Sequence, residues 1–335
     1  GELIGLNLLV PISVAKSVAS GISWVEAATT KSLECKGRRL EIVGEGLVPN
    51  EGALEPIRRD LKLGELPGIL SSGYPWLVVN GGKMLLSALG EQVVLRFCKI
   101  ELRSGAKLIV GRSRVSILAN QIVSENGGII AFENTTAPTP PEPVTAVGAL
   151  GKSGDPGNSA GSVLLAVLDQ VAGNLYVRLD GTHGTAGGAG GPGALGADGP
   201  PGRGGSDSLF DCKRGPGDGG RGLPGSPGAP GGAGGVGGNA GDLTILKLTT
   251  TKLAESQISF SGLAGEGGAG GPGGPGGRGG EGGQSGKETF YCKGGRDGPR
   301  GPSGPAGAVG AQAPNGIAGA FTFTSADERA IIDLF

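Results

Sequence analysis

The residues in this chain that could do chemistry are few and scattered. Four cysteines stand far apart at Cys35, Cys98, Cys212 and Cys292, with no C-x-x-C pair among them, and His183 is the single histidine. Zinc sites need closely spaced thiolate and imidazole ligands, so the usual metal spacings are excluded. Two disulfides in an oxidising compartment are the expected use, and no metal or other cofactor is expected. The stretch "AVGALGKSGD" approaches the phosphate-binding pattern G-x-x-x-x-G-K-[ST], with Gly151, Lys152 and Ser153 in place but Ala146 at the first glycine. A proline-rich segment precedes it and "GDPGNSAG" follows, where a strand and a helix are required, so nucleotide binding is not expected. Glu255, Glu266, Asp327 and Glu328 supply carboxylates, yet nothing pairs any two of them as hydrolysis requires. The chain reads as a non-enzyme.

The elements that must carry these residues are set by an unusual composition. The chain has 335 residues and a formal net charge of -1, which draws it neither to nucleic acid nor to anionic membrane. Hydrophobic residues make up 37% and aromatics 4%, beside 73 glycines and 23 prolines, so a conventional core occupies only part of the length. The opening residues, with Glu2 where a secretory leader carries positive charge, do not read as a signal peptide. The apolar run from Leu3 to Val14 is interrupted by Gly5, Asn7, Pro11 and Ser13 and is too short to cross a bilayer, so no membrane insertion is expected.

From Leu33 to Phe132 short β-rich segments alternate with turns. Ile100/Leu102 and Val115/Ile117 keep a period of two, and Ser104-Gly105, Gly111-Arg112 and Asn126-Gly127 fall between runs. Such brevity suits coils of a parallel β-helix, and a β-sandwich would look much the same. The fold class expected is all-β, a β-helix-like or β-sandwich head followed by an antiparallel polyglycine-II (Gly-X-Y) helix bundle. Five regions follow: an N-terminal extension over 1–30, a β-rich domain over 31–133, a Pro/Gly-rich linker over 134–160, a duplicated glycine-rich rod domain with a β-strand base over 161–325, and a tail over 326–335. "SVLLAVLDQVAGNLYVRLD" reads as a β-hairpin turning at Gly173-Asn174. Asn134-Thr135-Thr136 matches the glycosylation sequon.

From Gly181 to Gly205, Gly219 to Gly237, Gly262 to Gly286 and Gly295 to Gly310, glycine recurs at every third position. A flexible linker has no reason to keep that register. Period three is one turn of the polyproline-II helix, which lacks internal hydrogen bonds and must satisfy its backbone from water or a neighbouring chain. Glycine at every third residue leaves a bare stripe where another rod approaches. Gly265, Gly268, Gly271, Gly274, Gly277 and Gly280 form such a packing stripe. "SLFDCKRGPGDGGRG" around Cys212 parallels "ETFYCKGGRDGPRG" around Cys292, which marks an internal duplication. If each cysteine loop is a U-turn, four rods form two antiparallel hairpins with both loops at one end. Cys212 then pairs with Cys292, leaving Cys35 for Cys98.

These runs and cysteine turns resemble the polyglycine-II or collagen-like-repeat bundles of T-even-type phage tail-fibre tip adhesins and of snow-flea-type antifreeze protein. The resemblance covers Gly181 to Gly319 and is one of architecture. The chain departs from both families in its β-rich head and its proline-containing triplets.

Three functions are carried forward. The first is a structural subunit of an extracellular filament or surface fibre, a homopolymer whose apolar ends complete a neighbour's sheet. Leu6, Leu8, Leu9, Val10 and Ile12 are its candidate assembly segment. The second is a cell-surface tip adhesin that meets a receptor through Phe210, Phe290 and Tyr291. Ice binding by a rod face is the third, disfavoured by the scarcity of threonine in the runs.

Overall fold

Val93, Val115, Val163, Leu243 and Phe321 lie on successive strands, each opposite the next, and Leu95, Ile117, Leu165, Ile245 and Phe323 form a second row beside them. The computed structural model of the chain describes residues 22–25, 35–37, 39–44, 70–71, 73–89, 91–137 and 139–335. Within these, β1 (Ile22–Val25) pairs antiparallel with β2 (Arg39–Val43). Every later neighbour in the large sheet is parallel: β3 (Trp76–Asn80), β5 (Gln92–Arg103), β7 (Arg114–Ser124), β9 (Val163–Gly173), β13 (Leu243–Lys247) and β15 (Phe321–Ser325) follow β2 in that order. A second parallel sheet takes β4 (Lys83–Leu85), β6 (Lys107–Ile109), β8 (Gly128–Ile130), β10 (Leu175–Arg178) and β14 (Ile258–Ser261). At the far end of the rods lies a two-stranded ribbon, β11 (Ser206–Asp207) with β12 (Cys212–Arg214).

Two sheets of parallel strands overturn the expected architecture of an all-β head followed by an antiparallel bundle. The pairing is of the α/β kind; residues 70, 71 and 73, before β3, are helical, and from β3 onward no α-helix among the described residues makes a crossover. Parallel neighbours cannot be joined by a tight turn and need a crossover of a dozen or more residues. Here the chain crosses through a short strand of the second sheet, as β5 does through β6 before reaching β7. Nor does the rod region follow the head as a separate module. Strands β9, β10, β13, β14 and β15 extend the same two sheets, and the glycine runs are insertions in the return crossovers, between β10 and β13 and between β14 and β15.

The expected hairpin at Gly173-Asn174 is also corrected. Gly173 does turn the chain, with φ 82°, but β9 and β10 lie in different sheets and do not pair. The linker expected over 134–160 contains a further rod, described below.

The core fills the space between the sheets. Met84, Leu108, Ile129, Val177 and Phe260 make the facing row from the second sheet, and all but Phe260 are fully buried. A smaller cluster covers the outer face of the large sheet, where Ile331 packs with Leu70, Tyr74, Leu118, Ala166, Leu168 and Leu246. Ile331 belongs to the short helix α1 (Glu328–Ile332), whose first turn is capped by the Asp327 carboxylate accepting from the Ala330 N–H at 2.8 Å. Cys35 bonds to Cys98 on β5, with Cα atoms 5.7 Å apart.

Among the buried polar groups, Glu101 is enclosed between Lys99 at 2.6 Å and Arg103. Burial raises its pKa, but hydrogen bonds and charge from the two cations outweigh that, so the net direction is downward.

Candidate functional site

Five glycine rods pack side by side: rod 1 over 149–161, rod 2 over 181–205, rod 3 over 217–241, rod 4 over 262–286 and rod 5 over 296–319. With no hydrogen bonds of their own, they satisfy their backbones on one another. Rods 2 and 3 run antiparallel, the Ser226 N–H donating to the Ala194 carbonyl at 2.9 Å and that of Gly232 to Gly188 at 2.9 Å. Rods 4 and 5 do the same, through Gly301 to Gly280 and Gly316 to Gly265, both at 2.9 Å. The two hairpins are then joined along their length. Gly187 donates to Ala269 at 2.9 Å between parallel rods 2 and 4, and Gly271 donates to Gly232 at 2.8 Å between antiparallel rods 4 and 3. Gly225 donates to Pro302 at 3.0 Å between parallel rods 3 and 5. Each bond recurs at every third residue.

Each glycine stripe faces the backbone of a neighbouring rod. Rod 4 touches three rods and has two glycine stripes. A Cβ at Gly265, Gly268, Gly271, Gly274, Gly277 or Gly280 would overlap a carbonyl oxygen of rod 2, and one at Gly267, Gly270, Gly273 or Gly276 would overlap a carbonyl of rod 5. Rod 5, at the margin, keeps a single stripe, and its outward positions carry Arg300, Ser303, Ala306 and Val309. Those side chains stand where a sixth rod would need bare backbone.

Rod 1 was not foreseen, although glycine at 148, 151, 154 and 157 carries the period-three signal. The prolines before it masked that signal. Gly154 donates to Ala233 of rod 3 at 2.8 Å, and Thr185 of rod 2 donates to Asp155 at 2.9 Å. Gly151, Lys152 and Ser153 therefore belong to a rod, with no helix after them to form a phosphate-binding loop. His183 accepts from the Glu266 N–H through Nδ1 at 2.8 Å, a rod-to-rod bond. The two rod threonines, Thr182 and Thr185, are buried against rod 1, which leaves no threonine row for ice on the rods. Asn134 is exposed, and its Oδ1 accepts from both the N–H and the hydroxyl of Thr136. The candidate assembly residues Leu6, Leu8, Leu9, Val10 and Ile12 lie outside the described residues.

At the far end of the rods the two U-turns meet. Cys212 bonds to Cys292, with Cα atoms 4.8 Å apart and a sequence separation of 80. Closing a loop of that length restricts the unfolded chain by about 4.5 kcal/mol in the chain-entropy account. Carboxylates at this tip accept backbone N–H groups, some within the turns and some between rods. Asp207 accepts from the Thr289 hydroxyl and from the Tyr291 N–H at 3.3 Å. Asp211 accepts from the Cys212 N–H, Asp218 from that of Arg296 and Asp297 from that of Ser285, each at 2.7 Å. Glu288 accepts from the Gly294 N–H at 3.1 Å and faces Lys293 at 3.4 Å.

These bonds lower three pKa values. The Thr289 hydroxyl is the main cause for Asp207, the Gly294 N–H for Glu288 and the Ser285 N–H for Asp297. A carboxylate held below its unfolded value stabilises the fold above the ordinary carboxylate range, and that contribution is lost as pH falls through the lowered value. The tip should therefore be insensitive to pH from neutrality down to the ordinary carboxylate range. In an NMR titration the amide signals of Ser285 and Gly294 should shift with midpoints below the ordinary Asp and Glu values. Midpoints at those values would mean that the caps do not form in solution.

The apolar side chains at the tip face outward. Leu209 is 88% exposed, Phe210 85%, Phe290 82% and Tyr291 44%, and the last two meet edge to face with centroids 4.8 Å apart. Around them Arg203, Lys213, Arg214, Lys287 and Arg296 are exposed and face no carboxylate among the described residues. The described residues contain no group of His, Cys, Asp and Glu placed to hold a metal, and no helix among them is long and apolar enough to cross a membrane. Two disulfides are compatible with an oxidising, extracellular setting.

Comparison with known protein families, with curated proteins and with solved structures finds no match to this chain.

Proposed function

We propose that the protein is a structural subunit of an extracellular filament or surface fibre, assembling with copies of itself head to tail by strand exchange. One observation carries this reading. The three inward rows of the sheet stack end on Phe260, Phe321 and Phe323, on strands β14 and β15 that have no further neighbour among the described residues. The earlier positions of those rows are buried, whereas the three phenylalanines are half-exposed. Phe321 stacks on Phe260 at 5.6 Å and tilts against Phe323 at 6.4 Å, which makes a continuous apolar step. An unpaired edge above such a step is a template for another strand. The rods offer no comparable surface, because their margin carries side chains where a neighbour would need glycine.

The N-terminal segment around Leu6 to Val14 is the assigned donor. Its even positions, Leu6, Leu8, Val10, Ile12 and Val14, are all apolar, the alternation of a strand with one buried face. Rods of 25 residues, roughly 78 Å long at about 3.1 Å per residue, would stand off such a filament. Negative-stain microscopy of the purified chain tests the reading. Long filaments are expected, and discrete particles at every concentration would overturn it. Discrete particles would favour the second reading, a tip adhesin, which the exposed Leu209, Phe210 and Phe290 support.

A further inference from the structure

We propose that Asn134 carries an N-linked glycan, transferred from a lipid-linked oligosaccharide during secretion, and that this glycan shields the proline-rich segment that follows it. The proposal stands on the side of the sheet stack and is independent of strand exchange.

Asn134-Thr135-Thr136 is the one place in the chain where an asparagine is followed at the second position by serine or threonine. Such triplets arise easily by chance, and three features of the fold set this one apart. The first is access. Asn134 and Thr136 are exposed, and the Asn134 Nδ2 makes no hydrogen bond among the described residues. A glycan joined to the nascent chain must still fit the folded protein, and at this nitrogen it displaces no contact.

The second feature is that the chain is held on both sides of the site. The Phe132 and Glu133 carbonyls accept from the Arg178 guanidinium at 2.7 and 3.0 Å, and Glu133 faces Lys83 at 2.9 Å. The Thr135 carbonyl accepts from the His183 N–H at 2.9 Å. Asn134 is therefore fixed beside the second sheet while its side chain stays in solvent.

The third is local geometry that suits the reaction. Oδ1 accepts from the Thr136 N–H at 2.9 Å and from its hydroxyl at 2.7 Å. A carboxamide nitrogen is a poor nucleophile because its lone pair is delocalised into the carbonyl. Donors aimed at Oδ1 stabilise the imidate, in which charge rests on that oxygen and the nitrogen recovers its lone pair. In the transfer Nδ2 attacks the anomeric carbon of an oligosaccharide carried on a lipid diphosphate. The N–C bond forms as the bond from that carbon to the diphosphate oxygen breaks. The bonding pair leaves with the lipid diphosphate, and the Nδ2 proton passes to a base of the transferase. Two disulfides fit the oxidising secretory compartment in which such a transfer takes place.

The shielding role follows from how loosely the next segment is tied. Beyond the Thr135 contact, the backbone bonds that hold it to rod 2 among the described residues are the Val144 N–H on the Ala189 carbonyl at 3.4 Å and the Gly148 N–H on the Pro192 carbonyl at 2.8 Å. Rods 2 to 5, by contrast, are bonded at every third residue. Exposed chain with few bonds opens most easily and is where proteases cut. A glycan at the start of this segment covers it. Asn134 follows β8, the middle strand of the second sheet, so the glycan leaves the β14 and β15 edge clear.

The test is secretion of the full-length chain from insect cells, followed by peptide:N-glycosidase digestion. Digestion should lower the mass of most of the secreted protein and release the tryptic peptide from Val115 to Lys152 with aspartate at position 134. Asn134→Gln and Thr136→Ala should each abolish the mass shift, and Thr136→Ser should retain it. Thr136→Ala keeps the N–H bond of the turn and removes the hydroxyl alone. Both positions are exposed, so these variants should retain the disulfides and circular dichroism spectrum of the parent. Proteinase K should cut the Asn134→Gln chain between residues 135 and 148 roughly threefold faster or more than the glycosylated parent. An unmodified Asn134 in the secreted, folded parent would overturn the proposal. So would a mass shift that persists in Asn134→Gln or Thr136→Ala, or equal cleavage of the two chains. None of these outcomes bears on filament formation, which is read separately by microscopy.

Discussion

A Gly271→Val chain is expected to melt roughly 6–12 °C below the parent, while Arg278→Ala leaves the melting temperature within about a degree. The contrast follows from where the two side chains sit on rod 4. A Cβ at Gly271 overlaps the backbone of Gly188, and the oxygen it meets belongs to a carbonyl that already accepts from Gly232. Relief requires rods 2 and 4 to part locally. That would break ladder bonds on both sides of the site, each worth about 0.5–1.5 kcal/mol net. Overpacking ordinarily costs about 1–3 kcal/mol, and a clash with main chain lies at the upper end because no rotamer can relieve it.

Gly274 faces Gly191 in the same way, and substitution there should act alike. Arg278 occupies the outward position of its triplet, where its loss touches no neighbouring rod. Gly271→Ala isolates the Cβ itself and should already lower the melting temperature. Equal tolerance at Gly271, Gly274 and Arg278 in a thermal melt would show that the rods are not packed in solution.

The same local chemistry explains what could be read from the sequence. Glycine at every third position is a local signal, and it states both the rod conformation and the need for neighbours. The alternation at Ile100/Leu102 and Val115/Ile117 likewise marks strands, because a half-buried strand sorts its own side chains by face. Partner choice is not local. Nothing near Val115 says that it lies opposite Val163, or near Leu243 that it lies opposite Phe321, because a glycine excursion of variable length separates each pair. Gly173-Asn174 gave the correct place for a turn and the wrong partner, since the same glycine can reverse a strand or pass it to another sheet.

The tip was legible in part. The duplication around Cys212 and Cys292 indicates that their loops share one end, and Phe210, Phe290 and Tyr291 stand out as aromatics in a glycine-rich setting. Leu209 was passed over, although it is the most exposed of the set. The contacts that hold the two turns together were not legible at all. Asp207 and Thr289 are 82 residues apart and meet only through the register of the rods.

Deleting residues 1 to 14 is expected to abolish polymerisation while leaving a folded monomer. The sheet pairings, the disulfides and the rod bonds of the described residues all lie beyond that segment. The acceptor edge at β15 remains intact as well. What is lost is a segment whose alternating apolar positions, Leu6 through Val14, would continue the rows that end at Phe321 and Phe323 if it pairs there as proposed.

Burying five such side chains at an interface gives on the order of 1.5–3 kcal/mol each before association costs, which is enough to set micromolar against no assembly. The truncated chain should therefore sediment as a monomer at concentrations where the parent is filamentous, with the same circular dichroism spectrum and the same melting temperature for its core. A synthetic peptide of residues 1 to 14 should bind that monomer and cap parent filaments when added during growth. Filaments of normal length from the truncated chain would refute strand exchange through this segment. A truncated chain that is unfolded would refute it too, by showing that the segment belongs to its own subunit's core.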